Sequence, residues 1–264
     1  MRAADLRAPF HGVRVPAGNV TLVAACRARL KPLAAEAVIS HVTAARLHAV
    51  PLPPFLARVS IVHVSVPAGA RAPAGKNTVG HQVTLRTTDR DSRHGVACTT
   101  PERTFCDLAA MLTLAQLVAV GDDLLRRGTV SRAALTDAVA AYPGRRGTAR
   151  LRRALELLDE RSESPKESEL RVLLIEAGFP SPLVNASVCD DRGRFVARID
   201  LSYPDLKIAI EYEGDHHRDK YQWRADLARR RRLEALGWTY LSVTQADLDS
   251  PRDLLADLRA VMSR

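Results

Sequence analysis

Long apolar runs, paired cysteines, nucleotide-binding glycine motifs and lysine are all scarce or missing, and each shortage removes a class of protein. No stretch reaches the roughly 18 consecutive apolar residues that a bilayer-spanning helix needs, and the opening segment MRAADLRAPFHG has no signal-peptide core. A cytoplasmic protein is expected, not a secreted or membrane one. Four cysteines (Cys26, Cys98, Cys106, Cys189) lie far apart with no CxxC pair. That argues against a zinc ribbon or a disulfide framework and for reduced, buried thiols. There is no P-loop, no G-x-G-x-x-G and no G-x-S-x-G elbow, so nucleotide-dependent and serine-hydrolase chemistry have no support. No repeat or low-complexity tract breaks the chain.

Against these absences stand 264 residues, 46% hydrophobic and 26% charged, enough for one large domain or two modest ones with real cores. The formal charge is +9, but only five of the 39 basic residues are lysine. The charge is also uneven. Residues 1–160 hold 22 basic and 12 acidic side chains, whereas residues 161–264 hold 17 and 18. The positive surplus therefore belongs to the first part of the chain.

Local patterns predict two domains. In residues 1–160, three short strands are expected at 59–66, 79–86 and 94–100, then a helix opened by Thr100-Pro101-Glu102 and three more at 113–127, 131–141 and 147–159. The polar RSESPKES segment (161–168) marks the boundary. Residues 161–264 predict a helix at 165–177, strands at 183–189, 194–202 and 206–213, a helix at 219–236, a strand at 238–243 and a last helix at 251–263. The expected class is α/β in this second domain and α+β overall.

The strand LKIAIEYE (206–213) carries the chemistry. Period-two alternation puts Lys207, Ala209, Glu211 and Glu213 on one face and Leu206, Ile208, Ile210 and Tyr212 on the other. Glu211 and Glu213 are then about 6.6 Å apart along one face. Antiparallel pairing across Tyr203-Pro204-Asp205 would bring Asp200 towards Glu211. Carboxylates crowded on one face must be solvated, protonated, paired with arginine or bridged by a cation. Such oxygen ligands suit Mg²⁺ or Mn²⁺ better than Zn²⁺.

The ordered residues Glu167, Asp200, Glu211-Tyr-Glu213-Gly214-Asp-His216-His217, Asp226-x-x-Arg229 and Gly237-Trp238 resemble a Vsr-like domain of unknown function in the PD-(D/E)XK endonuclease superfamily. The resemblance spans about residues 161–250. It implies a restriction-endonuclease-like core, a bacterial source and hydrolysis of phosphodiester bonds in DNA. Asp200, Glu211 and Glu167 would be metal ligands, and Glu213 and His217 would assist. Residues 20–150 resemble the effector-type domain of AbiEi-family antitoxins through SHVTAARLHAVPLP and TTPERTFCDLA, which implies a toxin-like protein partner. The chain lacks the winged helix that such antitoxins use to bind DNA. It also lacks the superfamily lysine after E-x, where Glu213 stands instead. Lys207 shares the face of Glu211 but is about 13 Å away along the strand.

Competing readings accompany each residue. Ser164-x-x-Glu167 is also a capping box. His217 suits proton transfer near neutral pH, but an exposed turn histidine would look the same. The basic segment 218–232 offers Lys220, Trp223, Arg224, Arg229, Arg231 and Arg232 to a phosphate backbone. Its four consecutive arginines sweep about 300° around a helix, so they do not form one patch. His41, His48, His63, His81 and His94 show no ligand spacing and are expected to be structural. A non-catalytic nucleic-acid-binding or antitoxin-like protein on a degenerate nuclease fold is the alternative function.

Overall fold

The computed structural model describes residues 6–10, 13–16, 21–57, 60–142, 146–214 and 220–263. The chain divides into two compact units, Met1–Glu156 and Leu157–Arg264, four residues from the expected boundary. Both contain helices and a mixed sheet, so the class is α+β. No described helix is long and apolar enough to cross a membrane.

The first unit begins with the antiparallel pair β1 (Leu6–Phe10) and β2 (Val13–Pro16). Then come α1 (Leu22–Leu30), β3 (Val38–Ile39), α2 (His41–Leu47), α3 (Pro54–Ala57), β4 (Val62–Pro67), β5 (Thr78–Val83), β6 (Arg90–Arg93) and β7 (Val96–Thr99). Helices α4 (Pro101–Leu108), α5 (Leu114–Arg126), α6 (Arg132–Ala140) and α7 (Thr148–Leu157) follow. The five-stranded sheet has the order β5-β4-β3-β7-β6. On β4, Val62, Val64 and Val66 enter the core with Cys26, Ile39 and Cys98. Alternation sends His63 and Ser65 to the other face. Helix α4 starts as its sequence dictates: Pro101 sits in the first turn and Thr100 Oγ1 accepts the Arg103 N–H.

The second unit holds α8 (Pro165–Glu176), β8 (Leu183–Cys189), β9 (Phe195–Tyr203), β10 (Ile208–Tyr212), α9 (Lys220–Ala235), β11 (Thr239–Val243), α10 (Gln245–Asp249) and α11 (Arg252–Met262). Its sheet order is β11-β10-β9-β8, with only β10 and β11 parallel. The sheet is apolar on both sides. Leu201, Tyr203, Ile208, Ile210 and Val243 pack with Leu170, Leu174, Leu254 and Leu258 from α8 and α11. Val196, Ala197, Ile199 and Ala209 pack with Leu233 of α9.

Two expectations need correction. The strand expected from 206 starts at 208, because Pro204–Leu206 forms a 3-10 turn and Lys207 adopts φ 48°. Leu206 is consequently exposed instead of joining the apolar face. Cys189 is an exposed thiol at the irregular end of β8, while Cys26, Cys98 and Cys106 are buried as expected.

Candidate active site

The pairing of β9 with β10 runs Ile208↔Tyr203, Ala209↔Ser202 and Ile210↔Leu201. One further step sets Glu211 opposite Asp200. The pairing of β8 with β9 (Val184↔Leu201, Ala186↔Ile199) likewise sets Asn185 opposite Asp200. Three strands therefore put Asn185, Asp200 and Glu211 in one row across the sheet. Asn185 has φ 51°, a backbone region that asparagine tolerates better than most residues. Its amide donates to Glu167 Oε2 at 2.8 Å and to the Arg161 carbonyl at 2.7 Å.

Glu167 acts as a helix cap beside Asp200. Ser164 Oγ accepts the Glu167 N–H at 3.1 Å, as in a capping box. The reciprocal bond goes one residue further back: Glu167 Oε2 accepts the Glu163 N–H at 2.9 Å. The buried carboxylate is thus a helix cap and also close enough to Asp200 to disfavour its ionisation.

Asp200 and Glu211 are acids under strain of charge. Burial pushes the Asp200 carboxyl up to about 7; the Tyr212 N–H, donating to Oδ2 at 3.0 Å, opposes this, and the charges of Glu167 and Glu211 add to it. Burial also raises Glu211, opposed by Arg229 and by the Tyr240 hydroxyl. Arg229 Nη2 lies 2.5 Å from Glu211 Oε2, and Tyr240 donates to that same oxygen at 3.0 Å. Glu211 Oε1 is buried and accepts no hydrogen bond from the described residues. A carboxylate oxygen left without a partner in the interior costs about 1–3 kcal/mol or more, so this atom is one that a ligand would satisfy.

A cleft of about 470 Å³ opens beside Asp200, lined by Phe195, Val196, Ala197, Arg198, Asp200, Asp226, Arg229 and Arg232. Asp226, Arg229 and Arg232 recur every three residues and so share one face of α9. The four-arginine run is divided accordingly. Arg229 reaches Glu211 and also approaches Asp226 at 3.8 Å. Arg230 stacks over Tyr240 and pairs with Glu234, not with Asp226 as its spacing also allowed. Arg232 lines the cleft, whereas Arg231, grouped with it from sequence, is exposed and does not. Arg198, across the cleft on β9, is ion-paired with Glu163.

Glu213 lies just past β10, its N–H bonded to the Val243 carbonyl at 2.7 Å, and its charge acts on Tyr240. His217 lies outside the described residues, as do the side chains of Lys220, Trp223 and Arg224. Two lysines near the site are engaged elsewhere and do not supply the missing motif lysine: Lys166 pairs with Glu169 at 2.7 Å, and Lys207 donates to the Leu236 carbonyl at 2.9 Å. Sequence reasoning missed Asn185, Tyr240 and Arg198 as members of this site. Only Arg198 carried a signal, since it shares the polar face of β9 with Asp200.

No known protein family matches the chain, and no solved structure does. Two Mycobacterium tuberculosis proteins, both named as uncharacterized, are similar: one in strain H37Rv and one in strain CDC 1551. Each is 33% identical over 173 residues, which cover 65% of this chain and 64% of the relative. The match thus spans less than two thirds of either relative's length.

Proposed function

We propose that the second unit hydrolyses phosphodiester bonds in DNA with the help of a bound divalent cation, Mg²⁺ or Mn²⁺. One observation carries the reading: half-buried Asp200 and buried Glu211 are adjacent carboxylates with raised pKa values, and Glu211 Oε1 has no partner among the described residues. Hard oxygen donors crowded in this way fit a small divalent cation. Asp200 and Glu211 would hold it, with Glu167 placed by Asn185 beside them. When bound, the cation would activate a water and neutralise charge on the phosphate.

The chain's own residues do the remaining work. Arg232 and Arg198 present guanidinium groups at the cleft, where a phosphate backbone can be held. Arg229 balances Glu211 in the absence of a cation, and Oε1 is the oxygen of Glu211 that a cation can take without displacing it. Glu213, at the end of the same strand face, would orient the attacking water. His217 would assist proton transfer, as the sequence resemblance implies.

Cleavage of single- and double-stranded DNA should require Mg²⁺ or Mn²⁺ and fall by about 10³-fold or more in Glu211→Gln. Wild-type cleavage by that variant would show that the nuclease site lies elsewhere.

A second reading is favoured by Arg229. A guanidinium already inserted among the carboxylates is what a non-catalytic DNA-binding protein on a degenerate nuclease fold would keep. DNA binding that is unaffected by divalent cations and never followed by cleavage would select this alternative.

A further inference from the structure

Three histidines far apart in sequence converge in the first unit. His41 opens α2, His63 lies on β4 and His81 on β5. The strands run parallel with Ser65 opposite His81, so His63, Ser65 and His81 share one face of the sheet. His63 Nδ1 is 3.0 Å from His81 Nε2. The rings of His41 and His81 stack with centroids 3.7 Å apart. One ring nitrogen from each of the three lies within 4.8 Å of the others. His41 and His63 are buried, while His81 is partly exposed and leaves a way in.

The three rings lie nearly parallel, at 13° to 25°, so they have to turn for their lone pairs to meet at one ion. His41 is held at φ 51°, a left-handed conformation that costs a non-glycine residue about 1–3 kcal/mol and concentrates at functional sites. Its Nδ1 contacts Ser40 Oγ at 2.9 Å, and that hydroxyl accepts a bond from Ser65 Oγ at 2.7 Å. Asp107 Oδ2 stands 3.9 Å from the same nitrogen. With Nδ1 oriented by oxygen partners, Nε2 is the nitrogen left to ligate, the usual division of labour in metal-binding histidines.

We propose that His41, His63 and His81 bind one divalent transition-metal ion of the Zn²⁺ type through three imidazole nitrogens. Tetrahedral zinc with bonds of 2.0–2.1 Å sets ligand nitrogens about 3.3 Å apart, so no pair has to close by more than about 1.5 Å. Burial also holds all three imidazoles below their usual pKa, His63 down to about 4. They are therefore neutral at pH 7 and need lose no proton to ligate. Three nitrogen ligands leave a coordination position for water.

The nearby group His48, Asp91 and Cys98 contrasts with this one. His48 Nε2 is committed to the Thr99 carbonyl at 2.8 Å, and burial pushes the Cys98 thiol up to about 11. A proton-bearing nitrogen and a protonated thiol are poor ligands.

The test is a Co²⁺ titration of the full chain after chelator treatment, followed by visible absorption, with Zn²⁺ as competitor. The expected result is a spectrum that saturates at one ion per chain, is removed by Zn²⁺, is lost in His63→Ala and His81→Asn, and survives in His94→Ala and Glu211→Gln. Circular dichroism checks that each variant is folded; His81→Asn, at the partly exposed position, serves if His63→Ala is not. No spectrum in the wild type would overturn the proposal. So would a spectrum unchanged by His81→Asn. Loss in Glu211→Gln would assign the ion to the second unit and overturn it equally.

Discussion

The two units bury polar clusters of opposite character. In the first, Arg103 donates to Asp107 at 2.9 Å and to Asp89 at 3.0 Å, and Asp89 also binds Arg86 at 2.8 Å. Two acids meet two guanidiniums, Tyr142 lies under Arg103, and the adjacent histidines avoid charge by staying neutral. In the second, Glu167, Asp200 and Glu211 face Arg229 as the cation among the described residues within reach of Glu211. Among the described residues, charge is balanced in one cluster and left negative in the other. An acidic cluster that is not balanced internally is stabilised by whatever cation it can recruit.

The comparison can be broken most severely at Arg103. Arg103→Ala strands Asp89 and Asp107 in the interior and should cost about 3–5 kcal/mol, read as a lower denaturation midpoint for the first unit. Arg229→Ala removes a partly exposed partner and should cost the second unit about 2 kcal/mol. Adding Glu211→Gln to it should restore part of that loss, since the buried charge is then gone. A double variant no more stable than Arg229→Ala would mean that Arg229 acts through packing alone.

The two clusters should also respond to pH with opposite signs. Asp200 has a folded pKa near 7, above its ordinary value of 3.8. The folded second unit therefore holds the proton more tightly, and its stability falls as pH rises from about 4 to about 7. His63 is depressed from 6.5 to about 4, so the folded first unit resists protonation. Its stability should fall as pH drops from about 6.5 to about 4. Two thermal transitions followed across this range should move in opposite directions. Asp200→Asn should flatten the slope of the second and leave the first unchanged. The smallest expected effect concerns DNA: Arg232→Ala should lower the salt dependence of binding by about one unit of slope, and Arg231→Ala should change it less.

The same contrast explains what the sequence could disclose. Alternation exposed Glu211 and the short turn exposed its pairing with Asp200, because both are local. The spread of Arg229 to Arg232 around the helix foretold that they would part. Helices α8, α9 and α11 and the strands of the second unit were legible through period and caps for the same reason, whereas α10 was missed. The histidine cluster was not: its members come from a helix start and two parallel strands spread over 41 residues, and only the sheet register unites them. Strands β3 and β6, two and four residues long, are too short to show a period. Helix α10 did carry a signal, the Thr244-x-x-Asp247 capping box.

The most direct test of the carboxylate site is Mg²⁺ titration by calorimetry at pH 7.5, on the wild type and on Glu211→Gln. Magnesium favours oxygen ligands over imidazole, so the histidine cluster should stay silent. One site per chain in the wild type, absent from Glu211→Gln, is the expected result. No binding heat in the wild type, or heat unaltered by the substitution, would contradict a cation site at Asp200 and Glu211.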